Sequence, residues 1–232
     1  MTSTSNPAHI IIFSHGFGVR KDDRGLFTAI AEALPDAESV LFDYNPVNEK
    51  SNTLTSKPLN EQAQKLRKII NAVRADHPEA TIDLVCHAQG CIVAGLVKPR
   101  GIRKVIMLTP PDDINEAVML KQLGARFETP LEAPIDITVR TRLAGADGST
   151  VVVHPEYWQS LAGIKPVKLY NLLARVTALR IINAKQDEVL GNGEFEGIDP
   201  AISFVSLEGN HNFEDDEARK RLLYILRKEL AN

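Results

Sequence analysis

Cysteine, tryptophan and long apolar runs are what this chain has least of. Its 232 residues include two cysteines and one tryptophan. The two thiols, Cys86 and Cys91, stand close together and make neither a disulfide framework nor a four-ligand zinc site by themselves. No apolar run reaches the ~20 residues of a membrane span. Basic residues are not in excess either. There are 27 Lys and Arg against 30 Asp and Glu, spread along the chain, for a net charge of -3. That leaves no basic face for nucleic acid. Residues 1–8 have neither the basic start nor the apolar stretch of a signal peptide. The expectation is a cytoplasmic protein, monomer or homodimer, with no metal, no other cofactor, and neither nucleic acid nor membrane as a partner.

What is present is an alternation of short β-branched runs with helical patterns. It predicts an α/β fold: a mostly parallel sheet of about six strands with helices on both faces. The runs cover 9–14, 39–44, 82–86, 104–108, 179–183 and 202–207. Asp22 and Asp23 are placed to cap a helix running to about Leu34, before Pro35. Leu59, Ala63, Leu66, Ile70 and Val73 recur at helical spacing behind Pro58, which suits a first helical turn. A last helix over 214–230 has Ala218, Leu222 and Ile225 on one stripe and acids in its first turn, where the helix dipole favours them. The rhythm breaks between Pro110 and about Pro166. This stretch holds Pro130, Pro134 and a hairpin pattern, 136–142 and 150–154 around Gly145-Ala146-Asp147-Gly148. It is too long for a plain loop. Residues 111–165 are therefore expected to form an inserted cap on a core made of 1–110 and 166–232.

The densest local signal is Val85-Cys86-His87-Ala88-Gln89-Gly90, between a predicted strand and an apolar helix. A turn that holds one side chain clear of both elements needs small residues two before and two after its apex. Cys86 and Gly90 meet that requirement, and Ala88 is the apex. Ser14-His15-Gly16-Phe17-Gly18 closes the first strand. It is not a dinucleotide fingerprint, because the third glycine is missing and Lys21 stands in its place. Asp187, with Glu188 beside it, follows the fifth strand; Asp112 and Asp113 follow the fourth. His211 follows the last strand within Gly209-Asn210-His211-Asn212-Phe213. Each piece alone has a plainer reading: a tight junction, a glycine-rich turn, a helix cap, a solvated loop histidine. Asp43, after the second strand, reads as loop structure.

Taken in this chain order, the motifs resemble the α/β-hydrolase superfamily of esterases and lipases. His87-Ala88-Gln89-Gly90 is similar to its His-Ser-Gln-Gly nucleophile elbow with only the serine changed. The resemblance implies that position 88 is the nucleophile's place and that His211 is the general base. Asp187 would be the triad acid, with Glu188, Asp112 and Asp113 as rivals. The Phe17 and Gln89 amides would form the oxyanion hole. It implies a small-molecule carboxylic ester as substrate, with thioesters and small amides left open, cleaved through an acyl-enzyme. The 111–165 segment resembles the small hairpin-bearing caps of cinnamoyl-esterase-like members. His154, Tyr157 and Trp158 are its candidates for lining the substrate pocket, with Tyr157 and Trp158 also able to anchor the cap. The superfamily's two earliest antiparallel strands are missing from the pattern. Alanine cannot attack a carbonyl. An engineered Ser→Ala change accounts for it better than a natural pseudoenzyme that only binds ligand, because loop, acid, base and small flanks are all retained. Cys86 is expected to point into packing rather than replace the serine, and Cys91 to fill the helix interior.

Overall fold

The computed structural model describes residues 8–128, 136–145 and 147–231. Pro130, Pro134 and Ala146 of the expected cap lie outside the described residues, as do 1–7. The chain opens with β1 (His9–Ser14), α1 (Leu26–Ala33), β2 (Glu38–Val40), β3 (Val47–Asn48) and β4 (Thr53–Ser56). Next come α2 (Leu59–Asp76), β5 (Thr81–His87), α3 (Gln89–Val97), β6 (Lys104–Leu108) and α4 (Glu116–Arg126). Then follow β7 (Thr141–Ala144), β8 (Thr150–Val153), α5 (Pro155–Leu161) and α6 (Pro166–Ala174). The chain ends with β9 (Ala178–Ala184), β10 (Ser203–Leu207) and α7 (Asp216–Leu230).

Six strands form one parallel sheet in the order β10-β9-β6-β5-β1-β2. It is buried on both faces, so its inner strands must be apolar at nearly every position. On β1, Ile11 and Phe13 face a core shared with α1 and α7, while Ile12 faces the opposite core with α2 and α3. Each such side chain, fully buried, contributes about 1.5–3 kcal/mol. From β1 the chain steps outward to β2, then returns to β5 on the other side of β1. That reversal is a topological switch point, where the carboxyl ends of strands open a crevice. Ser14 pairs in register with Cys86, and His87 with Leu108, so the ends of β1, β5 and β6 finish together.

Several boundaries differ from expectation. β2 stops at Val40, and Tyr44 turns inward so that its amide donates to His15 Nε2 at 3.0 Å. Asp23 does not cap α1. Gly25 holds the cap position in left-handed backbone (φ 83), and Asp23 is buried, turned toward the crevice. Pro58 stands one residue ahead of α2. α7 is capped by Asp215, whose carboxylate accepts from the Glu217 and Ala218 amides.

The expected hairpin is present as β7 antiparallel to β8, beginning at Thr141 rather than 136. It belongs to a second sheet, β3-β4-β8-β7, whose β3 and β4 come from before the insert. Thr53 pairs in parallel with Thr150. This sheet meets the loop after β1, where Phe127 and Val151 stand against Gly18. Among the described residues no helix is long and apolar enough to cross a membrane.

Candidate active site

β5 and α3 meet at Ala88, whose backbone has φ 47 and ψ -121. A left-handed φ on a residue with a Cβ costs on the order of 1–3 kcal/mol and persists only where the surroundings enforce it. Gly90 is one of the enforcers. A Cβ there would lie 2.0 Å from the Ser14 carbonyl oxygen, so α3 can approach β1 this closely only with glycine. Ser14 Oγ donates to the Gly90 carbonyl at 3.0 Å and accepts from the Tyr44 hydroxyl at 2.7 Å. On the facing loop, His15 accepts from the Tyr44 amide at Nε2, so its Nδ1–H donates to the Gly16 carbonyl at 2.9 Å. Burial holds the His15 pKa below the ordinary histidine value. Among the described residues, neither the Phe17 nor the Gln89 amide N–H donates to a protein acceptor.

Asp187 and His211 are brought together from the loops after β9 and β10. Asp187 Oδ2 accepts from His211 Nδ1 at 2.8 Å, and both side chains are buried. Asp187 Oδ1 accepts from the Val189 and Leu190 amides at 2.9 and 2.7 Å. Burial works to raise the Asp187 pKa, but the bond to His211, its charge and these two amides outweigh it and hold the carboxyl below its usual range. Burial likewise dominates at His211 and lowers its pKa, against the raising effect of the Asp187 bond. The ring is therefore neutral at neutral pH, and among the described residues its buried Nε2 has no hydrogen-bond partner.

The rival acids are elsewhere employed. Glu188 accepts from the His211 backbone amide at 3.0 Å, fixing the loop rather than the ring. Asp112 accepts from the Glu194 amide, and Asp113 from the Ile114 amide and the Asn115 side chain. Asp43 accepts from the Lys21 amide in the loop. Both thiols are buried and free, and burial raises their pKa.

A second aspartate–histidine pair was not foreseen. Asp23 Oδ2 accepts from His87 Nδ1 at 2.8 Å and from the Gly16 amide at 2.9 Å. His87 Nε2 donates to the His211 carbonyl at 3.1 Å. Burial pushes the Asp23 pKa up, but the His87 charge and hydrogen bond carry it well below the usual range. Thr109 Oγ1 donates to the same His211 carbonyl at 3.3 Å. Nothing local in the sequence joins Asp23 to His87. The pair exists only because α1 starts late and β1 lies beside β5.

Ala88, Phe17, Gln89, His211, Tyr157 and Trp158 all line one pocket, with a cavity volume of about 50 Å³. Met119, Gln122, Leu123 and Arg126 of α4 line it as well. His154 does not; it precedes α5, where its carbonyl accepts from the Tyr157 amide at 3.0 Å. Tyr157 both lines the pocket and ties the insert to the elbow, through its hydroxyl on Gln89 Oε1. Gln89 Nε2 passes the chain on to Gln62 Oε1 at 2.9 Å. Of the lining residues that the sequence did not single out, Arg126 is the charged one. Its signal was there, a cation on the same helical stripe as Met119 and Leu123.

No protein-family model matches the chain, and no curated protein sequence matches it. Solved structures do. Est1E from Butyrivibrio proteoclasticus is 14% identical with TM-score 0.67, over 99% of this chain and 91% of that one. The esterase domain of a Rhodothermus marinus protein is 15% identical with TM-score 0.66, over 98% and 88%. The monoacylglycerol lipase of Paleococcus ferrophilus is 14% identical with TM-score 0.61, over 97% and 95%. Six parallel strands, the crossing order of the sheet and this likeness along nearly the whole chain give the protein the α/β-hydrolase fold.

Proposed function

We propose that the pocket is the site of a carboxylic ester hydrolase of the Ser-His-Asp type, with Ala88 standing where its serine belongs. One observation carries this reading. The buried Nε2 of His211, oriented by Asp187, lacks a partner and shares a pocket with the apex of a strained elbow. A buried nitrogen left unpaired costs about 1–3 kcal/mol. A hydroxyl on the apex is the group that such a nitrogen serves in this chemistry.

With serine at 88, His211 Nε2 takes the hydroxyl proton as the oxygen attacks the ester carbonyl. The free Phe17 and Gln89 amides receive the negative charge that develops on the carbonyl oxygen. Each such donor is worth about 2.7–4 kcal/mol in the transition state. The imidazolium returns its proton to the leaving alcohol, and an acyl-enzyme remains. His211 then draws a proton from water, which attacks the acyl carbonyl and frees the acid. Asp187 keeps the ring in its Nδ1–H tautomer throughout. Residues 111–165, joined by β3 and β4, act as a cap that shapes the pocket and excludes water. The backbone at Ala88 favours a lost serine. A chain that needed no outward side chain there would relieve the strain with glycine.

The second reading, a protein that binds ligand without turnover, rests on Ala88 itself. Nitrophenyl esters of graded acyl length, given to this chain and to Ala88→Ser in parallel, separate the two. Hydrolysis by the serine variant alone, abolished by adding His211→Ala, supports the triad. A folded Ala88→Ser protein that hydrolyses no ester and ignores a fluorophosphonate would sink the hydrolase reading.

A further inference from the structure

Among the described residues, three buried nitrogens lining the pocket lack a hydrogen-bond partner: His211 Nε2, Trp158 Nε1 and Arg126 Nη2. A serine at 88 would satisfy the first alone. Arg126 is the costly one. Its side chain is partly buried with Nη2 fully enclosed, its guanidinium makes no ion pair with any described residue, and an arginine cannot shed its proton. Burial, helped by the charge of Arg24, pulls its pKa down to about 10, which leaves it cationic at neutral pH. Asp23, Asp187 and Glu188 act on it only through space.

The helix explains how the charge comes to be there. Met119, Gln122, Leu123 and Arg126 fall at i, i+3, i+4 and i+7 and so share the face of α4 that lines the pocket. The remaining wall is largely apolar, with Phe17, Ile92, Leu161 and Val189 among its members. An apolar wall with one unpaired fixed cation suits a ligand of matching pattern, an apolar body ending in an anion.

We propose that Arg126 is an anion-recognition residue and that the pocket takes a ligand joining an apolar body to a free carboxylate. The guanidinium holds the carboxylate through paired N–H donors, with the Trp158 indole N–H as a further donor. Carboxylate fits better than phosphate because, among the described residues, Arg126 is the pocket's single permanently charged cation, matching one negative charge. The proposal rests on reading this pocket as the substrate site, and in those terms the substrate is an ester that also carries a carboxylate. A monoester of a dicarboxylic acid is the simplest example.

Trp158 is the chain's single tryptophan and lines the pocket, so its fluorescence reports binding. The protein with Ala88 is titrated with monomethyl suberate and with dimethyl suberate, which differ in one charge. The monomethyl ester is expected to bind at least tenfold tighter, and Arg126→Gln to erase that preference. The same variant should not lower the Tm of the ligand-free protein, because it removes a partly buried charge that no described residue pairs, and the cooperative melt also shows that it folds. Equal binding of the two esters, binding of neither, or a preference that survives Arg126→Gln would overturn the proposal. Tighter binding of octyl phosphate than of octanoate would overturn it in favour of phosphate. Charge-selective binding without hydrolysis by Ala88→Ser would keep this proposal and remove the hydrolase reading. Hydrolysis without charge selectivity would do the reverse.

Discussion

Asp187–His211 and Asp23–His87 are made of the same parts. In each, a buried carboxylate oxygen lies 2.8 Å from Nδ1 of a buried imidazole. The two rings lie 4.7 Å apart. They differ at the far nitrogen. His87 Nε2 is spent on the His211 carbonyl, while His211 Nε2 has no partner and lines the pocket. The second carboxylate oxygens differ too. Asp187 Oδ1 receives two amides, and Asp23 Oδ1 receives none. An aspartate–histidine pair can act as a base only where its outer nitrogen is left open. With that nitrogen occupied, the same pair is a strut. Here the strut joins the loop at Gly16, the residue before the apex and the backbone of the proposed base.

The largest effects should separate base from strut. In the Ala88→Ser background, Asp187→Asn is expected to lower kcat about 10⁴-fold, because the ring loses its tautomer. Asp23→Asn should instead act on stability. It removes the charged acceptor of a buried hydrogen bond, which costs about 1.5–3 kcal/mol, while kcat of the folded protein stays within about tenfold. Stopped assays and urea melts on the two variants check this. A stable Asp23→Asn protein with the kcat of Asp187→Asn would merge the two pairs into one machine.

A smaller effect sharpens the comparison through pH. In the proposed mechanism His211 acts as a base only when unprotonated, and burial holds its pKa below the ordinary histidine value of 6.5. The acid limb of kcat/KM for Ala88→Ser should therefore fall below pH 6.5, with a plateau through neutrality. Stability has the same direction. The unfolded histidine takes up a proton as pH falls through 6.5 while the buried ring resists it. Asp23 and Asp187, both held below 3.8, add stability that is full above that value and is lost as pH falls toward their folded pKa values. Tm should thus decline steadily on acidification from about pH 6.5. An acid limb at or above 6.5 would show that the burial of His211 does not control its titration.

How far the sequence could be read follows from the same distinction between local and distant causes. β1 and β6 were legible to the residue because strands buried on both faces need unbroken apolar runs. Ala88, Asp187 and His211 could be named as candidates because each sits just past a strand, and the structure brings them to one region of the fold. β3 and β4 were not, since 47–56 is mostly polar and β4 is held by pairing with β8 far along the chain. Asp23 looked like a cap because an aspartate before a helix usually is one. Only the packing of β1 against β5 turns it inward. His154 was drawn to the pocket by its neighbours, Tyr157 and Trp158, but the turn into α5 leaves it outside the lining.

The smallest effect concerns how the insert is held against the elbow. The Tyr157 hydroxyl donates to Gln89, Gln89 to Gln62 at 2.9 Å, and Gln62 to the Lys57 carbonyl at 2.6 Å. This chain of donors passes beside the apex but reaches neither histidine. Burial raises the Tyr157 pKa, so the hydroxyl stays protonated and remains a donor across the working range. Tyr157→Phe leaves the Gln89 carbonyl buried without its donor, at about 1–3 kcal/mol. For a domain of this size each kcal/mol is about 2–4 °C in Tm. In the Ala88→Ser background, KM should rise severalfold as the pocket wall loosens, while the acid limb of kcat/KM stays in place because the Asp187–His211 pair is untouched. Were Tyr157→Phe to move that limb, the tyrosine would be coupled to the base itself, and the separation between the groups that hold the pocket and those that do its chemistry would fail at this point.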